Sequence, residues 1–224
     1  EGVCDDLSQR VFGYNLVKLG NLSSEIKLPG CAIRNQVVQT QVATEASSLI
    51  SNSDKLPYIE NSIDGFLLAN ELDFARDPHE ILREVDRTIT ANGYVIISGF
   101  NPYSLTGLAR FLPIKKGNIL HQARFFSAGR IKDWLQLLGF EIVEHRHILF
   151  SMLFASHHKG QPAAWQQWCS RYCPWCSSVY VLMARKRTLP MTTVKPKWKV
   201  KPRFSAVGAS MRDAASRVTH SSNR

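Results

Sequence analysis

Apolar residues along the chain fall into two alternating patterns, short continuous runs and helical stripes, from about residue 11 to residue 187. Continuous runs bounded by turn residues predict buried strands, and apolar positions three and four apart predict amphipathic helices. Val11–Gly20 (VFGYNLVKLG) ends in a glycine and polar residues, as a strand entering a turn does. Asn35–Gln41 and Ser47–Ser51 read as short strands, and Ile63–Ala69 (IDGFLLA) as a stronger, buried one. A helix follows: Asp77 is a good N-cap, Pro78 suits the first helical position, and Glu80 stands three residues after the cap. Ile81, Leu82, Val85 and Ile89 form its apolar face, and Asn92-Gly93 reads as its stop before the strand Tyr94–Phe100. Ser127 caps a second helix with Ile131, Trp134, Leu135 and Leu138 on its apolar face, and Gly139 suits the left-handed residue that closes it. Phe140–Phe150 and Ser178–Arg187 read as the last two strands, with an irregular stretch rich in His, Trp and Cys between them. Strands alternating with helices predict an α/β domain with a mostly parallel sheet.

Composition narrows this picture. At 224 residues, 44% hydrophobic and 21% charged, the chain can bury a core without disulfides. Its longest apolar runs fall far short of the roughly 20 residues of a membrane span. The net charge of +10 invites a nucleic-acid or membrane-surface reading until its location is traced. Residues 191–224 carry eight Lys and Arg against Asp213 alone, a net +7, with few large apolar side chains beyond Trp198 and Phe204. Such a segment is expected to be a mobile, basic, disordered tail. The preceding domain, residues 1–190, keeps only +3. Five unevenly spaced cysteines do not make a disulfide scaffold, and the first twenty residues lack a basic region followed by an apolar run. The expected compartment is the cytoplasm.

The most informative stretch runs from Lys55 to Asn101. Leu56-Pro57-Tyr58, Ser62-Ile63-Asp64, Asp77-Pro78, Leu82, Glu84, Arg87, Gly93 and Ser98 fall in order on a strand, helix, turn and strand pattern. Phe126-Ser127, Trp134-Leu135 and Leu138-Gly139-Phe140-Glu141 continue it. This pattern resembles the class I S-adenosylmethionine (SAM) dependent methyltransferases, of the methyltransferase type 11 kind that includes quinone-biosynthesis enzymes. LVKLGNLSSEI, ISGFNPYSLTGLARF and ARKRTLP are similar to a narrower enterobacterial group of that family, so that the likeness covers about residues 12–190. The resemblance implies a Rossmann-like sheet of seven strands with the last antiparallel, SAM as cofactor, and methyl transfer to an O, N or C nucleophile. Ligands of open α/β sheets sit at the carboxyl ends of the strands near the topological switch point.

The chain departs from the family in its cofactor half. The family's first loop is E/D-x-G-x-G-x-G, whose glycines let the backbone approach the nucleoside and methionine. Here it is Lys18-Leu19-Gly20-Asn21-Leu22-Ser23-Ser24: one glycine remains, and Lys18 replaces an acid. The acid that ends the second strand and holds the ribose hydroxyls is absent, with Gln39 to Gln41 offering amides and a hydroxyl instead. The acid four residues before Leu56 is Asn52. Connections between the first three strands are too short for full crossover helices. The residues expected to contact the cofactor are Gly20, Asn21, Asn52, Ser53, Asn70 and Glu71, each of which also has a plain reading as a turn or loop residue. No catalytic base is identified.

Asn101-Pro102-Tyr103 reads as a substrate-side loop or a proline turn, His121 as a pocket or surface histidine, and His145 and His147 as neighbours on one strand face. Cys169, Cys173 and Cys176 with His157-His158 have zinc-type donors, but their spacing matches no paired zinc set, so no metal is expected. Two functions remain open: a SAM-dependent methyltransferase acting on a small-molecule acceptor, or a catalytically inactive protein of the same fold that contacts RNA or another polyanion through its tail.

Overall fold

In the computed structural model of the protein, which describes residues 2–104, 123–148 and 177–187, the strands assemble into one seven-stranded sheet. The strands are β1 (Asn15–Leu19), β2 (Asn35–Thr40), β3 (Leu49–Ile50), β4 (Ile63–Ala69), β5 (Ile89–Phe100), β6 (Phe140–Ile148) and β7 (Val179–Lys186). Their spatial order is β3-β2-β1-β4-β5-β7-β6. β1 pairs in parallel with β2 and β4, while β7 runs antiparallel to both β5 and β6. The helices are α1 (Gly2–Ser8), α2 (Asn21–Glu25), α3 (Glu71–Phe74), α4 (Pro78–Thr88) and α5 (Ala128–Leu137). The expected class I sheet with its antiparallel last strand is therefore present. Strand order reverses between β1 and β4, so a crevice opens at their carboxyl ends.

Both faces of the sheet are covered, which is why its central strands read as continuous apolar runs. Successive side chains of β4 enter opposite layers: Phe66 and Leu68 pack with Val17, Val95 and Ile81 and Val85 of α4. Leu67 packs with Leu16, Ile96, Val181 and Leu7 of α1. Each such side chain, fully removed from water, contributes about 1.5–3 kcal/mol.

Helix α4 starts as its sequence dictates. Asp77 accepts hydrogen bonds from the backbone N–H groups of His79 and Glu80 at 2.9 and 3.4 Å, with Pro78 next in line. Asp77→Ala should lower the unfolding free energy by about 1 kcal/mol, read as a fall in urea midpoint at unchanged slope. The helix ends earlier than its apolar stripe predicts, at Thr88. Thr88-Ile89-Thr90 is a β-branched run, and Ile89 pairs with Ile63 of β4 to begin β5. Ile89 is buried as expected, but from a strand. Asn92-Gly93 lies inside β5, where Asn92 takes a φ of 65° beside the register shift. The first strand likewise starts at Asn15, not Val11, and the short helices α1, α2 and α3 have no counterpart among the predicted elements.

The L-P-Y, Glu84 and Arg87 signature is a tie between α4 and the turn before β4. Arg87 donates to the carbonyl oxygens of Leu56 and Tyr58 at 3.1 Å each and pairs with Glu84 at 2.7 Å. Glu84 in turn accepts from the Leu56 N–H at 3.0 Å. This fixes the segment that leads from residues 52–54, at the crevice, into β4. The connections of the N-terminal half are as short as expected: α2 is the one helix between β1 and β2, and residues 41–48 carry none.

Candidate functional site

β1 delivers its chain to the crevice at Gly20, whose φ of 93° lies in the region that favours glycine. The Gly20 N–H donates to the carbonyl of Gln39 at 2.9 Å, tying β1's end to β2. Behind it, Ser23 of α2 donates its hydroxyl to the Leu19 carbonyl at 2.5 Å and accepts from the Ala69 N–H at 2.8 Å. One buried serine thus locks the first loop onto β4. Ser24, at a position where the family has glycine, turns its hydroxyl back to the Asn21 carbonyl at 2.6 Å.

A Cβ on Gly20 would overlap the carboxylate of Glu71, which comes from the other side of the switch point. That carboxylate accepts from the Ser53 hydroxyl at 2.6 Å and from the Gln41 amide at 3.5 Å, and the same amide reaches Ser53 Oγ at 3.3 Å. Burial pushes the Glu71 carboxyl pKa up and the Ser53 hydrogen bond pulls it partly back. Three loops, after β2, β3 and β4, therefore converge on one carboxylate.

Two clefts meet here. One, of about 420 Å³, is lined by Gly20, Asn21, Leu22, Gln41, Asn70 and Glu71, among others. The second, of about 570 Å³, is lined by Asn52, Asp54 and the start of α4, and shares Gln41 and Phe74 with the first. Gly20, Asn21, Asn70 and Glu71 are thus brought to one cleft and Asn52 to its neighbour, while buried Ser53 reaches the site through Glu71. Gln39 Oε1 and Asp54 Oδ1 are buried and accept no hydrogen bond among the described residues.

Asn70 itself adopts a left-handed φ of 54° and its side chain is fully engaged. Its Oδ1 accepts from Ser98 at 3.0 Å and its Nδ2 donates to Asp73 at 3.1 Å. Asp73 also accepts from the Phe100 N–H at 2.9 Å. Burial pushes the Asp73 carboxyl pKa up to about 7, against the pull of hydrogen bonds from the Phe100 and Phe126 backbone and from Asn70. Asp73 and Asp54 were not singled out from sequence. An acid in the first turn of a helix reads as a solvated one, and no local pattern distinguishes a buried carboxylate there.

Other candidates have structural duties. Asn101 donates to the Ser177 carbonyl at 2.9 Å and accepts from the Tyr103 N–H at 3.1 Å, so it stitches β5's end to β7's start. His145 and His147 do share a face, with ring centroids 4.3 Å apart. They are half-buried: His145 Nδ1 lies 3.0 Å from Lys132 Nζ, and His147 Nδ1 lies 2.8 Å from Ser177 Oγ. Burial, then the Lys132 charge, lowers the pKa of both, that of His145 to about 4. Among the described residues no group of His, Cys, Asp and Glu is arranged to hold a metal ion, and no helix is long and apolar enough to cross a membrane. His121, the His157-His158 pair, Cys169, Cys173, Cys176 and the basic tail lie outside the described residues.

A family model described as a methyltransferase domain matches residues 26–97, from the end of α2 into β5. YafS of Escherichia coli (strain K12), itself uncharacterized, is 36% identical over 205 residues, which is 90% of this chain and 81% of YafS. Among solved structures, a SAM-dependent methyltransferase from Thermotoga maritima superposes with a TM-score of 0.59 at 20% identity, covering 81% of this chain and 89% of that one. A SAM-dependent methyltransferase from Archaeoglobus fulgidus gives 0.55 at 14% identity, covering 83% and 94%. At such identities the two structures establish the fold. With nine-tenths of its length aligned to YafS, the chain belongs to the methyltransferase-domain family, in the group that YafS represents.

Proposed function

We propose that the protein binds SAM in the paired clefts at the carboxyl ends of β1, β2 and β4 and transfers its methyl group to a small-molecule acceptor. The observation that carries this reading is the Gly20 cradle, where backbone without a side chain faces a carboxylate at the switch point. The residues present suit the cofactor. Gly20 and Asn21 line one cleft together with Glu71 and its negative charge, and Asp54 lines the neighbouring cleft. Gln39 to Gln41 stand where the family resemblance expects a ribose-binding acid, and Gln41, which lines both clefts, has an amide oxygen that can accept from a hydroxyl. When bound, SAM supplies an electrophilic methyl group on a sulfonium, so the protein's part is alignment and exclusion of water. Asn70, locked by Ser98 and Asp73, holds the backbone at the end of β4 in a fixed conformation beside that cleft. The domain is taken to end near residue 190, with residues 191–224 a basic appendage, and the compartment to be the cytoplasm.

Calorimetric titration of the full chain with SAM should give one-to-one binding in the micromolar range. No heat at near-millimolar SAM would overturn the reading and favour the non-catalytic alternative. In that case RNA affinity should fall steeply with salt and with removal of residues 191–224.

A further inference from the structure

The amino ends of the strands, opposite the clefts, carry exposed rings on a pinned loop. Asp64, the acid of the Ser62-Ile63-Asp64 motif, accepts from the N–H groups of Tyr14 and Asn15 at 2.7 and 3.1 Å and from the Thr90 hydroxyl at 3.2 Å. Gly13 passes so close that a Cβ there would overlap the Asp64 side chain. With the loop held this way, Val11 enters the core while Phe12 and Tyr14 stand 71% and 85% exposed. On the β4 side, Asn15 donates to the Ser62 carbonyl at 3.2 Å and Ser62 to the Ile59 carbonyl at 2.6 Å, which brings Ile59, 81% exposed, alongside. On the β2 side, Asn35 donates to Asn15 at 2.7 Å and so places Arg34, which is exposed and has no ion pair among the described residues. Tyr14, Arg34 and Asn35 share a cleft of about 470 Å³. Glu60, the acid beside Ile59, is offset by Arg87. β7 ends at Lys186 at this same end of the sheet, and the chain beyond it holds a net +7 in residues 191–224.

Apolar side chains set singly on a polar rim suit insertion among lipid headgroups, where aromatic rings sit well and nearby cations meet anionic phosphates. A stable protein interface takes about 800 Å² per partner, and two rings of about 200 Å² with one isoleucine supply less. Peripheral anchoring to a bilayer takes two signals, one apolar and one basic, and both are present. We propose that this end of the sheet docks on an anionic bilayer surface, with Phe12, Tyr14 and Ile59 among the headgroups and Arg34 against a lipid phosphate. The clefts at the opposite ends of the strands then stay open to water, and the docking stands whether or not they bind SAM.

Co-sedimentation of the full chain with vesicles tests this. Vesicles with about 30% phosphatidylglycerol in phosphatidylcholine should bind the chain at least about tenfold more tightly than phosphatidylcholine alone, and less so as salt rises. Phe12→Ser combined with Tyr14→Ser should cost at least about tenfold in affinity for the mixed vesicles. Its urea midpoint should not move, since both rings are already in water. Ile59→Ser lies outside the pinned loop and should cost several-fold, which keeps the test intact if the double variant folds poorly. Binding that survives both changes would mean that charge alone draws the chain to the bilayer, and the proposal is wrong. It is equally wrong if the unmutated chain does not sediment with the mixed vesicles. If the double variant instead abolishes a concentration-dependent dimer, or weakens binding to single-stranded RNA while vesicle binding is intact, the face serves another partner and the proposal fails.

Discussion

An alanine at position 20 should lower the stability of the chain by about 2–4 kcal/mol and weaken SAM binding at least about thirtyfold, the equivalent of about 2 kcal/mol. Two effects add in the folded state. A φ of 93° is unstrained for glycine, but a side chain there costs about 1–2 kcal/mol. The new methyl group would also overlap the Glu71 carboxylate, which must swing away and give up its 2.6 Å hydrogen bond from Ser53. That hydrogen bond is worth about 1–2 kcal/mol. Binding suffers for a separate reason, because the displaced Glu71 side chain moves into the cleft that it lines with Gly20 and Asn21. Urea unfolding measures the first loss and calorimetry the second. A variant with unchanged SAM affinity would show that the ligand does not lie against Gly20.

Replacing Asp73 with asparagine should change how stability depends on pH. The ordinary pKa of the side chain is 3.8, and in the folded chain it is about 7, mainly through burial. Between those values the native state binds more protons than the unfolded one, so stability falls as pH rises. The penalty is absent below the lower value and complete above the upper, and it amounts to about 4 kcal/mol at about 1.36 kcal/mol per pKa unit. His145 and His147 work in the opposite sense. Their lowered values mean that the native state binds fewer protons, so their contribution is lost as pH falls from the ordinary histidine value of 6.5 down through the folded value, about 4 for His145. Glu71, raised by burial, acts in the same sense as Asp73. The informative quantity is therefore the difference between parent and Asp73→Asn, in which the other three groups cancel. Whatever its constant offset, that difference should shift towards the variant by several kcal/mol from about pH 4 to about pH 8. A gap that stays constant across that range would mean Asp73 is ionised throughout.

Much of the scaffold is legible in the sequence because it is written in local chemistry. Asp77-Pro78 with Glu80 marks the start of α4, Ser127 and Gly139 bracket α5, and the apolar runs of β4, β5 and β7 announce a sheet buried on both faces. The L-P-Y, Glu84 and Arg87 signature is visible as a family pattern, yet its work is architectural: it straps a turn to a helix. The pattern carries α4 one residue too far, because Ile89 continues the helical stripe while its β-branched neighbours and its partner Ile63 draw it into a strand. At the site, the positions Gly20 and Glu71 are separately legible, but their contact is not, since it joins residues 51 apart across the switch point. Nor does the sequence tell that Lys18 turns onto Ile26 or that Asp73 is out of water. Whether a charged residue is solvated, pinned or buried is decided by its neighbours in space.

The two-residue strand β3 leaves the sheet unequally fastened. Its register with β2 is limited to Gln39 with Leu49 and Thr40 with Ile50, flanked by the Ser48 and Ser51 N–H bonds to the Val38 and Thr40 carbonyls, whereas β7 meets β5 in continuous register from Tyr94 to Phe100. Local opening draws on the least contacted parts of a fold first. The amide hydrogens of β3 and the loops beside it should therefore exchange with solvent through small excursions, while those of β5 and β7 wait for global unfolding. The family's crossover helices would have bound these two regions into one cooperative unit. Without them, the rim at the carboxyl ends of β2 and β3 should open as a separate unit while the scaffold behind it stays closed.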